Sequence, residues 1–220
     1  MSDKFEFYDV LGILIPGTLL LALMSIGFPA LVVRFAAVKF PEAFAVICLT
    51  ALAVFIGHLV QAISSLIEPV LEWTWGGRAS ERALNEGLGG RYLPTDAAKR
   101  IKQKLAERVG SGASDRSLFL YAMQKAETSG NNRVAKFNGL YAYHRAMFTL
   151  VCIGILLLGA AMYWGGIKLW PAREKIETLV GGSVLLLIMW WRAKQRACYY
   201  VREVLSTAER LIDSQQDGAR

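Results

Sequence analysis

The chain has little of what metal sites and catalytic centres need. Its 220 residues include three cysteines and two histidines. Cys48, Cys152 and Cys198 are single and widely spaced, which fits neither a disulfide framework nor a zinc-type spacing. The motifs of serine hydrolases, phosphate-binding loops and zinc proteases are missing as well. We therefore expect a protein that is not an enzyme and that carries no metal and no cofactor.

A basic leader in front of the first apolar stretch is also missing. The opening MSDKFEFYD carries three acids against one lysine, whereas a signal peptide begins with a positively charged region. The apolar run that follows is longer than the ~7–15 residues of a signal-peptide core. We expect this first stretch to be retained as a membrane helix.

Long apolar blocks are what the sequence has in abundance. Hydrophobic residues make up 54% of the chain, and the mean hydropathy is +0.35. Four blocks stand out, at residues 10–33, 44–67, 147–167 and 176–191. A helix needs about 20 apolar residues to cross a bilayer, with about 17 as the lower limit. The sequence predicts an all-α integral membrane protein with four transmembrane helices, the short fourth one ending in interfacial tryptophans.

The distribution of Lys and Arg predicts the orientation in the membrane. Residues 77–145 hold 13 Lys and Arg against 6 Asp and Glu. The net charge of +7 divides into −3 for residues 1–76, +7 for 77–145 and +3 for 146–220. Since Lys and Arg concentrate on the cytoplasmic side, we expect both termini and the large connection there. The protein is therefore expected to be a multi-pass membrane protein.

Four regions are predicted along the chain. Residues 1–76 form the first two spans with a cytoplasmic extension of the second, and residues 77–140 form a basic cytoplasmic helical insert. Residues 141–192 hold the third and fourth spans, and residues 193–220 form a cytoplasmic C-terminal helix. Within the insert, an apolar stripe predicts a helix from Pro94 to Gly110 with a cap at Thr95 or Asp96; its members are Ala98, Ile101, Leu105 and Val109.

The same predicted helix has a basic face. It consists of Lys99, Arg100, Lys102, Lys104 and Arg108. No aromatic residues interleave with these cations, so nucleic acid is the weaker interpretation. Contact with the headgroups of membrane lipid is favoured. A phosphorylated small ligand and a cytoplasmic partner protein remain alternatives.

Polar residues follow one face of the second apolar block. They are His58, Gln61, Ser65, Glu68 and Glu72, spaced by three and four. Polar groups at membrane depth usually face a bundle interior or water, so this polar seam could line a pore or cavity. In the alternative, the glutamates lie outside the membrane and pair with arginines. A metal held by His58, Glu68 and His144 is a weaker third possibility.

The first block contains a proline and a glycine in its interior. Pro16 removes one helical hydrogen bond and Gly17 allows close approach of another helix, which predicts a kink. The kink is either fixed packing geometry or a hinge that changes the tilt of the helix. Asp9 precedes it as an expected cap of the helix N-terminus.

Beyond the fourth block, apolar residues recur in alternating steps of four and three. They are Ala197, Val201, Val204, Ala208 and Leu211. Such a heptad pattern predicts a seam that packs against another helix. The partner helix belongs either to a second subunit, giving a homo-oligomer, or to the same chain.

Two stretches, FYDVLGILIPGTLLL and RVAKFNGLYAYHRAM, together with the four-span pattern, resemble a class of small bacterial inner-membrane proteins with a cytoplasmic insert. Some of these are similar to membrane effectors of antiphage defence operons, in which a sensing partner triggers membrane damage. The resemblance implies an oligomeric effector or sensor that is triggered from the cytoplasm and perturbs the bilayer. The alternative is a membrane scaffold or accessory subunit that anchors a soluble partner.

Overall fold

The computed structural model describes residues 7–36, 41–89, 91–128, 132–165 and 167–217. Within these ranges the chain forms helices joined by turns, without a β-strand, which confirms the all-α prediction. The helices are α1 (Phe7–Gly27), α2 (Pro29–Ala36), α3 (Glu42–Thr74), α4 (Ala79–Asn85), α5 (Thr95–Val109), α6 (Asp115–Thr128), α7 (Asn132–Trp164) and α8 (Ala172–Asp217).

The helices fall into two compact units. Unit 1 comprises Met1–Glu68 and Ala142–Arg192, and unit 2 comprises Pro69–Tyr141 and Ala193–Arg220. Each of the three long helices, α3, α7 and α8, contributes residues to both units. The predicted C-terminal helix is the second half of α8, which continues the predicted fourth span without a break.

Three helices of the described chain, α3, α7 and α8, are long and apolar enough to cross a membrane. In their most apolar windows, between 6% and 33% of the residues are buried inside the protein. Large side chains such as Phe55, Leu156 and Leu187 are more than half exposed. A soluble protein rarely leaves so much contiguous apolar surface in water, whereas the hydrocarbon of a bilayer covers it without cost. The chain is thus a membrane protein.

The first apolar block differs from the prediction. Helix α1 continues through Pro16 and ends at Gly27, and a second helix, α2, begins at Pro29, so the predicted single span is divided at Phe28. Pro29 is the reason, because proline disfavours the helical conformation of the residue before it and suits the first position of a new helix. The apolar stretch of α1 described with its side chains, Gly12–Gly27, is shorter than the three candidate spans.

Unit 2 has a hydrophobic core of its own, to which α4, α5, α6 and α8 contribute buried side chains. In α5, Ala98, Ile101 and Leu105 are buried as their spacing predicts, whereas Val109 at the last position is 39% exposed. The largest fully buried side chains of this core are Leu84, Ile101, Leu105, Leu118, Val204, Leu205 and Ile212. The basic insert is therefore a packed helical layer, completed by the end of α8.

The ends of the helices in unit 2 follow local rules. Helix α5 ends before Gly110, which has a positive φ of 127°. At the start of α6, the Ser114 hydroxyl oxygen accepts the backbone N–H of Ser117 at 3.2 Å, as expected of a capping serine. Thr95 does not cap α5, because its hydroxyl donates to the carbonyl oxygen of Glu86.

Candidate functional site

The polar seam of α3 meets α1 at the carbonyl group that Pro16 leaves free. In a helix, the N–H of residue 16 would donate to the carbonyl oxygen of Gly12, but proline has no N–H. The Gln61 side-chain Nε2 donates to the Gly12 oxygen at 3.1 Å in its place. A neighbouring helix thus supplies the missing donor, which is how membrane helices tolerate an internal proline.

Two glycines bring the backbones of α1 and α3 into direct contact beside this bond. A Cβ atom at Gly17 would overlap the carbonyl oxygen of Ala53, and one at Gly57 would overlap the carbonyl oxygen of Ile13. Pro16 and Gly17 are both buried. Gly17 therefore provides the close approach expected of it, in a tight helix crossing. The hinge at Pro16 and Gly17 stays a prediction, and the side chain of Asp9 lies outside the described residues.

Arg145 of α7 forms the second polar contact to α3. Its guanidinium makes an ion pair with Glu68 and donates to the hydroxyl oxygens of Ser64 at 3.2 Å and Ser65 at 3.1 Å. The Arg145 side chain is 11% exposed, and Ser64 is fully buried. Several hydrogen bonds to one arginine offset the cost of removing its charge from water. This network fastens α7 to α3 within unit 1.

The five residues of the polar seam therefore do not share one environment. Gln61 forms a hydrogen bond with α1, whereas Ser65 and Glu68 contact Arg145. Glu72 lies in unit 2, where Arg78 binds it at 3.1 Å. His58 is exposed on the surface of α3. Pairing of both glutamates with arginine matches the structural alternative, and the structure brings no continuous polar path together from the described residues.

Arg145 and Ser64 were missed by the sequence reasoning. A signal for Arg145 was present, because an arginine two residues before a long apolar block is placed to meet an acid on a neighbouring span. Nothing marked Ser64, because serine is common in membrane helices and it lies one position off the spacing of the seam.

The basic face of α5 is largely engaged inside unit 2. Arg100 donates to Glu209 at 2.7 Å, and Lys104 contacts both Glu209 and Asp213. Lys102 makes an ion pair with Asp115 at 2.7 Å. The two remaining cations of this face, Lys99 and Arg108, are exposed. Three of the five cations of the predicted basic face therefore join α5 to α8 and α6.

The ion pairs between α5 and α8 shift the pKa values of their members. The hydrogen bond to Asp213 is the main cause that raises the pKa of Lys104, with Glu209 adding to it. Partial burial acts to raise the pKa of the Glu209 carboxyl, but the hydrogen bonds from Arg100 and Lys104 outweigh it and hold that pKa below its ordinary value. The charged forms are therefore favoured in the folded unit.

The heptad seam of α8 packs within the chain, which is one of the two alternatives that its spacing left open. Ala197, Val201, Val204 and Ala208 are buried, and the last three belong to the core of unit 2 together with residues of α4, α5 and α6. Leu211 is half-buried. The same chain therefore covers most of this seam, and an oligomer contact through it stays a prediction. The heptad spacing was correct, and its partner lies within the chain.

Comparison of the chain with protein-family models, with curated proteins and with solved structures gives no match. Among the described residues, no group of three or more His, Cys, Asp and Glu side chains is placed to hold a metal ion. The contacts of α3 with α1 and α7 are therefore the candidate functional site of unit 1.

Proposed function

We propose that this chain is a non-enzymatic, oligomeric component of a bacterial inner membrane that responds to a cytoplasmic trigger by perturbing the bilayer. It crosses the membrane four times, through α1, α3, α7 and α8, and both termini are cytoplasmic. One observation carries the proposal: α3, α7 and α8 contribute to both units without an intervening linker. A change in the core of unit 2 then acts on the same helices that form unit 1.

The contacts within unit 1 suggest how the response occurs. The polar groups of α3 are occupied by the Gly12 carbonyl and by Arg145. Separation of α1 or α7 from α3 leaves these polar groups without partners among the apolar side chains. Unpaired polar groups at membrane depth recruit water, and the bilayer then leaks. The proposed perturbation is thus a loss of helix contacts and not the opening of a preformed pore. An antiphage role is consistent with this mechanism.

The alternative is a membrane scaffold that anchors a soluble cytoplasmic partner. The separate core of unit 2 favours it, because a folded helical layer offers a docking surface without any change in the membrane. The two functions differ in one respect. An effector needs a mechanical connection from unit 2 to unit 1, whereas a scaffold needs only a tether.

A linker insertion tests this difference. A flexible Gly-Ser segment placed in α8 after Arg192, at the boundary between the units, should abolish inner-membrane leakage in expressing cells while protein abundance stays the same. The same segment inserted near Gly112, in the α5–α6 turn, is the control and should leave leakage intact. Full leakage from the α8 insertion would contradict the effector mechanism. No leakage from the unmodified chain, even at high expression, would favour the scaffold.

The topology has its own test. Reporters fused after Arg220 or inserted near Gly112 should be cytoplasmic, and reporters near Lys39 or Ala172 should be periplasmic. This pattern follows from the asymmetry of Lys and Arg along the chain. A cytoplasmic signal at Lys39 would contradict four spans and leave the three long helices as the membrane-crossing set.

A further inference from the structure

Unit 2 carries a cluster of aromatic rings and arginines that the spacing of residues in the sequence does not show. The rings of Tyr92 and Tyr199 meet edge to face with centroids 5.1 Å apart, and Phe137 stacks on Tyr199 at 6.1 Å. The Arg91 guanidinium lies 6.0 Å from the centre of the Tyr92 ring, and that of Arg202 lies 5.3 Å from the centre of Tyr199. The α4–α5 turn, α7 and α8 all contribute to this cluster.

Arg196 extends the cluster toward the apolar half of α8. It lies three residues before Tyr199, and residues at this spacing are neighbours on a helix surface. The Nε atom of Arg196 is buried and has no hydrogen-bond partner among the described residues. A buried donor without an acceptor is costly in a folded protein. Arg196 as a whole is half-buried, so part of the residue remains at the surface of the unit.

Two acids on this part of α8 are already paired. Glu203 is almost fully buried and is held by Arg133 at 3.3 Å and by Arg210 at 3.9 Å. Glu209 is held by Arg100 and Lys104. Among the described residues, no ion pair joins Arg91, Arg196 or Arg202 to a carboxylate, so these cations are available to an anion from outside the chain.

We infer that Arg91, Arg196 and Arg202 bind the phosphodiester groups of anionic phospholipids on the cytoplasmic leaflet. Arg196 lies five residues beyond Trp191, which corresponds to ~7.5 Å of helix rise. A tryptophan at the end of a span marks the membrane interface. Arginine and lysine next to a span end attract anionic lipid, and the forked guanidinium suits phosphate oxygens. This surface is different from the basic face of α5, for which lipid contact was also predicted.

This inference rests on the proposed membrane placement of the chain, but its test is a binding measurement that does not involve leakage. The full-length protein is reconstituted into nanodiscs with equal amounts of phosphatidylglycerol and phosphatidylcholine. Lipids retained by the purified protein are then counted by native mass spectrometry. The unmodified chain should be enriched in phosphatidylglycerol. Enrichment should fall roughly fivefold for each arginine removed, as expected for single cations near an anionic surface.

Two variants are compared, and each of them loses three positive charges. In the first, Arg91, Arg196 and Arg202 become Gln; in the matched control, the exposed residues Lys99, Arg108 and Arg116 become Gln. Selective loss in the first variant supports the inference, and equal loss in both shows diffuse attraction and overturns it. Unchanged enrichment in the first variant also overturns it. Arg196→Gln alone, which retains the other contacts of the cluster, replaces the triple variant if the latter does not fold by circular dichroism.

A second arm of the experiment distinguishes binding of lipid from binding of a soluble phosphate compound. The protein is placed in phosphatidylcholine alone, and adenosine triphosphate or inorganic phosphate is added. If the arginines bind lipid, neither compound should raise the thermal unfolding midpoint of the unmodified protein by more than it raises that of the control variant. A stabilisation that disappears in the first variant would instead assign these arginines to a soluble phosphate compound.

Discussion

Pro16 and Gln61 can be tested as one coupled pair at the scale of single residues. Gln61→Leu leaves the Gly12 carbonyl without its donor, and an orphaned buried acceptor costs about 1–3 kcal/mol. Pro16→Ala restores an N–H that can donate to Gly12 within α1. The cost of Gln61→Leu should therefore be much smaller in the Pro16→Ala background. Thermal unfolding of the four proteins in detergent gives the double-mutant cycle.

His58→Leu is the control for this cycle, because His58 is exposed on the same helix. It should change neither abundance nor the unfolding midpoint. Additive effects of Pro16→Ala and Gln61→Leu would show that Gln61 has another role. A Gln61→Leu protein with normal abundance but reduced leakage would support the interpretation that the polar seam lines a pore.

The Glu68–Arg145 pair gives a second prediction at this scale. Glu68→Gln leaves the mostly buried guanidinium of Arg145 without its counter-charge, and breaking a buried pair in this way costs about 3–5 kcal/mol. The partial exposure of Glu68 places the expected loss near the lower end of that range. Glu177→Gln breaks the exposed pair with Arg173 and should cost less than ~0.5 kcal/mol. Unfolding in a graded series of denaturing detergent measures both, and equal losses would contradict a special role for Arg145.

Among the helices, the crossing of α1 and α3 depends on glycine. Gly57→Ala places a methyl group against the backbone of Ile13, and a backbone cannot turn aside as a side chain can. The helices must separate, so the protein should lose both stability and abundance. Gly159→Ala in α7 meets nothing within 4 Å and should be neutral or stabilising by about 0.5–1 kcal/mol. Similar behaviour of the two variants would show that α1 does not pack on α3 in this way.

Charged substitutions along the heptad seam of α8 should have unequal effects on the stability of unit 2. Val204 is fully buried in the core of unit 2, so Val204→Glu inserts a charge there and should unfold the unit. Leu211 is only half-buried, and Leu211→Glu should be tolerated. Limited proteolysis of the α5–α6 turn detects the unfolding, and particle mass reports assembly. If both variants had a lower oligomer mass while unit 2 stayed folded, the seam would be a subunit interface.

The spacing of apolar residues was enough to predict α5, the extension of α3 and the C-terminal part of α8. Spacing specifies which face of a helix is covered but not what covers it, so the α8 seam was consistent with either of two partners. The partner of the Gly12 carbonyl lies 49 residues away, and no local pattern indicates it. The break at Phe28 was missed because hydrophobicity continues through Pro29, where backbone chemistry and not polarity ends the helix.

For the whole molecule, two units with separate cores should unfold in two steps. The step of unit 2 should depend on pH at both ends of the scale. Glu209 has a lowered pKa in the folded unit, so its stabilisation is present above the ordinary value of 4.5 and is lost as the pH falls through the folded pKa. Lys104 has a raised pKa, so its stabilisation is present below the ordinary value of 10.5 and is lost as the pH rises through the folded pKa.

Urea unfolding in detergent, followed at several pH values, checks this prediction. Unit 2 should be most stable between these two limits, and a Lys104→Met, Glu209→Gln double variant should show a flatter pH profile. A profile that the double variant leaves unchanged would assign the pH dependence to other groups.

The bond between Gln61 and Gly12 also has a consequence for the order of synthesis. Translation adds ~5–20 residues per second, so the 49 residues that separate the two groups take roughly 2–10 s to emerge. During that interval the first helix has been made, and the amide that completes it does not yet exist. Under the proposed four-span topology, the insertion machinery should therefore hold the nascent α1 until α3 arrives.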